Sequence, residues 1–282
     1  MCLFDKVLLT VDFDRTLTAP DSTIPQRNLE AIEYFMAEGG TFTVNTGRST
    51  STFAKYLETL PRNAPLLLYN GSAAYDKGAL QDLRILDLDL WETMAQMEAL
   101  FPEMNLEVQG VSNHYLINSR PEMEALYRAQ SWRFSQAKPG DDLGPFIKFA
   151  LFGEIRDTTV GHLFYGSVEE LARLDFAQKE IKRLYGDKVE VYRAAPRIID
   201  VHSKGVSKLN AARSLQAKLG KEILVCVGDA ENDVTMLDGA DYAYCPADGV
   251  VADRYETVCN CADGAVADVI YKKIPEILGI SP

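Results

Sequence analysis

The chain has 282 residues, 47% apolar and 25% charged, and at about 150 residues per domain it is long enough for one large domain or two medium ones. That usage excludes a disordered, collagenous or low-complexity chain, and a body this large buries enough surface to fold without disulfide or metal staples. Acidic residues outnumber basic ones 41 to 29, and the resulting charge of −12 repels polyphosphate backbones, so neither nucleic acid nor an anionic membrane is an expected partner.

No basic segment near the start leads into a long apolar stretch. No apolar run reaches the roughly 18 residues that cross a bilayer, and a cytoplasmic location is expected. Five cysteines then read as reduced thiols. Cys259-x-Cys261 has no second pair to complete a metal site, and His114, His162 and His202 lie far from it. Asn70-Gly71-Ser72 fits the glycosylation triplet, but without export it is not expected to be modified. No feature of the sequence sets an oligomeric state.

In chain order, Val7–Val11 is apolar throughout and runs into Asp12. Leu29, Ile32 and Met36 then recur at helical spacing ahead of Gly39-Gly40. Residues 42–44 form a second apolar run, ending in Asn45-Thr46-Gly47. Phe53, Tyr56, Leu57 and Leu60 make another helical stripe closed by Pro61, and residues 66–69 run into Asn70-Gly71. The middle of the chain reads differently: a helix over 91–100, a polar break at 138–142, an extended 146–152, a helix over 168–185 and an extended 189–192. Afterwards Val206, Leu209, Ala212, Leu215 and Leu219 form a helical stripe closed by Gly220, and Ile223–Val227 runs into Gly228-Asp229. Runs that are apolar throughout suit strands covered on both faces. The pattern therefore predicts a doubly wound α/β parallel sheet, a Rossmann-like core of residues 1–83 and 198–282, with an α+β domain inserted at 84–197.

Ligands of open α/β sheets bind beyond the carboxyl ends of the strands. Those ends carry Asp12-Phe13-Asp14-Arg15-Thr16, Thr46-Gly47-Arg48, Asn70-Gly71-Ser72 and Gly228-Asp229-Ala230-Glu231-Asn232-Asp233. Carboxylates converging on one point cost several kcal/mol each if unpaired, and oxygen-only ligands suit a hard cation such as Mg2+. A lysine near the start of the helix after residue 206 adds a point charge, with Lys204 and Lys208 as candidates. Asp14, Thr16 and Asp233 equally suit helix caps, and Arg48 suits either a substrate or a surface carboxylate.

The clusters DxDxT, T-G-R, a lysine and GDxxND, in that order, resemble the haloacid dehalogenase superfamily of aspartyl-phosphate hydrolases. Asn70-Gly71, Lys204-Gly205-Val206-Ser207-Lys208 and Ala262-Asp263-Gly264-Ala265-Val266-Ala267 look like its Cof-type branch, subfamily IIB, with a C2 cap between the second and third motifs. The resemblance covers residues 1–83 and 198–282; in the middle it rests on the position and size of the insertion. It implies a Mg2+-dependent phosphatase of small phosphorylated metabolites, sugar phosphates above all, with the cap closing over the leaving group. On this reading Asp12 is the nucleophile and Asp14 the acid and then the base. Thr46, Gly47, Arg48 and Asn232 bind the phosphate. Lys208 steadies Asp12, while Asp12, the Asp14 carbonyl, Asp229 and Asp233 hold the metal. A phosphomutase of the same superfamily and a non-catalytic phosphate-binding regulator are the alternatives. One departure stands out, since Arg15 occupies a turn position that is usually glycine. It could alter the turn or set a cation at the mouth of the site; the expectation is the latter, at a cost of about 1–2 kcal/mol if its φ is positive.

Overall fold

A computed structural model describes residues 2–280. The first strand, β1 (Val7–Val11), is followed by a looped turn at Phe13–Leu17, helix α1 (Gln26–Ala37) and β2 (Thr41–Val44). Next come β3 (Leu66–Leu68), β4 (Ala73–Asp76) and β5 (Ala79–Gln81), a small antiparallel sheet. The chain continues through α2 (Leu90–Leu100), β6 (Asn105–Gly110), β7 (His114–Ile117), α3 (Pro121–Ala129), β8 (Phe134–Ala137) and β9 (Phe146–Phe152). It proceeds into α4 (Val168–Tyr185), β10 (Val189–Ala195), β11 (Ile198–Ser203), α5 (Lys208–Leu219) and β12 (Ile223–Val227). After these follow α6 (Val234–Asp238), β13 (Tyr242–Pro246), β14 (Glu256–Val258), α7 (Ala265–Asp268) and α8 (Ile274–Leu278), the last two joined by a π-helical turn.

Two compact units result. The first takes the described residues within Met1–Gly47, Lys55–Asp82 and Ser207–Pro282, and the second takes Arg48–Ala54 and Leu83–Val206. In the first, a five-stranded sheet runs β14-β13-β12-β1-β2 with every pairing parallel. Leu8, Leu224 and Cys226 pack on Ala212 and Leu215 of α5 and on Met236 and Leu237 of α6. The alternate residues Val7, Leu9 and Val11 point to the opposite face and are equally buried, which is why these strands read as unbroken apolar runs. Helix α5 starts where the Ser207 hydroxyl accepts the Asn210 N–H at 3.0 Å, and it stops at Gly220 in the left-handed region.

The second unit is built on a six-stranded sheet, β10-β11-β9-β6-β7-β8. Leu106, Val108, Phe149, Leu151, Ile199 and Val201 line one face against Met94 and Met97 of α2 and Leu174, Ala177 and Ile181 of α4. The opposite face carries Glu107, Gln109, Lys148, Asp200 and His202, with Met123, Leu126 and Tyr127 of α3 packed against Leu116, Ala150 and Phe152.

Three expectations differ from what the fold contains. The apolar stripe over 53–60 is no α-helix but a series of turns around a short 3-10 helix at Ala54–Tyr56. Ser49 and Thr52 exchange side-chain and backbone hydrogen bonds at 2.9 and 3.0 Å just ahead of it. The run at 66–69 does not extend the parallel ladder. It touches the edge through one parallel bridge, Asn45 to Leu67, and pairs instead with β4. Finally, the boundary expected between 197 and 198 falls between 206 and 207, because β11 lies between β10 and β9 in the second unit's sheet.

Candidate active site

Parallel pairing brings the carboxyl ends of β1, β2 and β12 to one edge of the first unit's sheet, and backbone bonds join them there. The Asp12 N–H donates to Val227 O and the Asn45 N–H to Val11 O, both at 2.8 Å. Beyond them the Thr46 N–H donates to Leu67 O, and Thr46 O accepts from the Asn70 N–H, both at 2.9 Å. Tyr69, Asn70 and Gly71 follow with φ of 54, 54 and 91°, three left-handed residues in succession that reverse the chain. This turn packs on the start of α5 so closely that a Cβ on Gly71 would lie 2.6 Å from Ser207 O. The Asn45 amide adds a bond to Lys208 O at 2.8 Å, so the first residue of α5 is fixed from two sides.

Lys208 is 1% exposed, and its Nζ donates to Asp12 Oδ1 and Asp233 Oδ1 at 2.6 Å each. Asp233 Oδ2 accepts the Asp229 and Ala230 N–H groups at 3.0 and 3.1 Å. Only glycine fits at 228, where a Cβ would come 2.6 Å from the Asp233 Cβ. The Thr16 hydroxyl donates to Asp229 Oδ1 at 3.1 Å. One carboxylate oxygen from each of Asp12, Asp229 and Asp233 falls within 4.8 Å of the others.

Three buried carboxylates against one ammonium leave two uncompensated negative charges, and the titration of the group reflects this. Burial, with Asp233 and Asp14 nearby, pushes the Asp12 carboxyl up to about 7 although Lys208 pulls it down. Asp229 is pushed well above the carboxylate range by burial and by the charges of Asp12 and Asp233. Burial alone would lower Lys208, but Asp12 and Asp233 outweigh it and hold the ammonium above its ordinary value. Close oxygen donors with a deficit of two positive charges fit a hard divalent ion such as Mg2+. Both Asp233 oxygens are already engaged, so Asp233 serves chiefly to orient Lys208 and the 229–230 turn.

The remaining residues singled out in the sequence have these places. Asp14 is half-buried and close enough to Asp12 to raise its carboxyl. Arg15 has φ 59° and ψ 9°, so the turn does impose the left-handed conformation expected to cost about 1–2 kcal/mol in a non-glycine residue. Asn232 is buried, with its amide 3.4 Å from Asn70 Oδ1. Gly47 adjoins the same Asn70, which a Cβ there would approach to 3.0 Å. The Arg48 guanidinium donates to Thr52 O at 3.0 Å within its own loop, in the second unit. Asn45, Asn70 and Thr16 stand in or beside the strand-end clusters without an individual role in the sequence reading, and they tie Lys208, Asn232 and Asp229 in place. The signal for the first two was the polar strand ends, and for Thr16 the last position of DxDxT.

The cysteines are all free, and the Asp12 group is the one metal-suited cluster among the described residues. No helix among those residues is long and apolar enough to cross a membrane.

Residues 9–267 match the family model of the haloacid dehalogenase-like hydrolases. M6_Spy0533 of Streptococcus pyogenes serotype M6, whose name proposes a phosphatase, is 26% identical over 82% of this chain and 83% of its own length. The 5-amino-6-(5-phospho-D-ribitylamino)uracil phosphatase YitU of Bacillus subtilis is 20% identical over 91% of this chain and 94% of its own. Among solved structures, the subclass IIB sugar phosphatase BT4131 superposes with a TM-score of 0.74 at 18% identity, covering 97% of this chain and 99% of that one.

Proposed function

The chain belongs to the haloacid dehalogenase-like hydrolases and is an enzyme of their phosphatase branch, and from that premise we propose that it removes the phosphoryl group from small phosphorylated metabolites, sugar phosphates first among them, through an aspartyl-phosphate. The observation that carries this reading is the buried group of Asp12, Asp229 and Asp233 around Lys208, short of positive charge by two.

A phosphomonoester is a dianion that water attacks very slowly, so catalysis depends on positioning and charge neutralisation. Asp12, fixed at a strand end, attacks phosphorus in line and takes the phosphoryl group. Asp14, two residues on, gives a proton to the departing alkoxide and then removes one from the water that cleaves the acyl phosphate. The Thr46 hydroxyl and nearby backbone N–H groups, including that of Gly47, donate to the phosphoryl oxygens, Asn232 contacts them, and Arg48 is assigned to the same ester. Lys208 holds the Asp12 carboxylate toward the incoming dianion. Asp12, the Asp14 carbonyl and Asp229 would hold Mg2+, supported by Asp233. A bound Mg2+ would neutralise phosphoryl charge and orient the ester. The free cysteines suit the reducing cytoplasm, where we place the protein. The substrate class draws support from relatives named for a sugar phosphate and for a phosphoribityl compound.

The test is a panel of sugar phosphates, a phosphoribityl compound and an aryl phosphate, assayed for free phosphate with Mg2+ and with a chelator. Wild-type turnover should need Mg2+, and Asp12→Asn should lower kcat at least about 10^3-fold. Undiminished turnover in that variant would remove the aspartyl-phosphate route. Isomerised ester in place of free phosphate would make the protein a mutase.

A further inference from the structure

A second buried polar set, Ser49, His114 and Glu107, lies in the other unit and takes part in no step above. His114 Nε2 is 2.7 Å from Ser49 Oγ, and His114 Nδ1 is 2.6 Å from Glu107 Oε1. None of the three is more than 1% exposed. The sheet dictates the grouping, because His114 on β7 stands opposite Gln109 on β6, and Glu107 is the next residue along the same face. Glu107 is held in turn by the Gln109 amide at 2.9 Å and by the Tyr127 hydroxyl.

A serine, a histidine and a carboxylate in a row have the layout of a nucleophile with its base and orienting acid. Here that chemistry is closed off. Ser49 is fully buried and its Oγ already receives the Thr52 N–H at 3.0 Å, so no ester reaches it. The set holds rather than reacts. Glu107 Oε1 lies beside Nδ1, and Nε2 faces the Ser49 hydroxyl. The anchored turn is closed on itself by the Ser49 and Thr52 bonds, and Ser51 Oγ also accepts the Arg133 N–H at 3.0 Å.

A network of this kind could serve only to specify the fold. What assigns it more is its place in the chain: only Gly47 and Arg48 separate Ser49 from Thr46. At about 3.5 Å per residue, little slack exists between the anchor and the hydroxyl assigned to the phosphoryl group. We propose that His114, aligned by Glu107, is a positioning residue that fixes Ser49 and, through it, the phosphoryl-binding stretch Thr46-Gly47. This rests on the function proposed above.

The test compares Ser49→Ala, His114→Ala, the double variant and His114→Gln, reading kcat, KM, the inhibition constant of inorganic phosphate and the melting temperature. Each alanine variant should raise KM and the phosphate constant together by about tenfold. The double variant should be no worse than either single, and His114→Gln, whose amide can still reach Ser49, should recover most of the affinity. Should His114→Ala fail to fold, Ser49→Ala and His114→Gln carry the same comparison. An active wild type with unchanged KM and phosphate constant in Ser49→Ala overturns the proposal, even if the melting temperature falls, and so do effects that multiply. A wild type that neither hydrolyses any ester nor binds phosphate overturns the functional reading instead, and this inference with it.

Discussion

Each unit buries a cluster of charge, and the two are balanced in opposite ways. Around Lys208 the first unit gathers Asp12, Asp229 and Asp233, and the carboxyls of Asp12 and Asp229 rise. On the second unit's sheet Asp200 pairs with Lys148 at 2.6 Å and lies 3.7 Å from His202, while Glu107 faces His114. There burial would again push the carboxyls up, but the Lys148 ammonium and the hydrogen bonds of neighbouring side chains outweigh it. Asp200 falls to about 2, and Glu107 is held below its usual range by His114, Lys148 and Tyr127. Burial is thus common to both clusters and does not tell them apart. The sign of the shift does: raised carboxyls mark a group short of a cation, and depressed ones mark a group already complete.

The strongest way to break this comparison is to unbalance the complete cluster. Asp200→Ala leaves the Lys148 ammonium buried without its carboxylate and should cost about 3–5 kcal/mol of stability in urea denaturation. A loss under about 1 kcal/mol would mean that the pairing contributes little. Next in size is the effect of completing the unbalanced one. Mg2+ at a hundredfold its dissociation constant should stabilise the protein by about 2.7 kcal/mol, seen as a rise in melting temperature. Asp229→Asn should abolish that rise, and an equal rise in the variant would place the ion elsewhere. The smallest effect is in pH dependence, measured in chelator, where the two clusters act with opposite sign. Asp200, depressed to about 2, stabilises above its unfolded value near 3.9 and loses that contribution as pH falls toward 2. Asp12, raised to about 7, favours the fold while protonated and loses that contribution as pH rises from about 4 through 7. Asp12→Asn should therefore flatten the decline between pH 4 and 7. Parallel profiles of variant and wild type in that window would contradict the assignment.

These contrasts also explain what could be read from the sequence. Helix α4 was legible to its ends because its signals are local: a Ser167 cap, spaced Leu174, Ala177 and Ile181, and Gly186. Asp12 and Asp229, which the structure gathers around Lys208, could be picked out because unbroken apolar runs lead into them. The boundary near 206 was not, since β11 belongs to the second unit through pairings with β9, some 50 residues away. The places of His114 and Lys148 were not legible either. Their burial and partners depend on sheet register, and no spacing along the chain reports it.

The pairing of β1 with β12 also has a consequence in time. Val7 lies opposite Ile223, and the Asp12 N–H finds its acceptor on Val227. During synthesis Asp12 therefore precedes the strand end that seats it by more than two hundred residues. The second unit, nearly continuous in sequence, can fold in the interval. Closing so long a loop is slow compared with local folding. Asp12 and Asp229 can meet only when β12 has paired with β1.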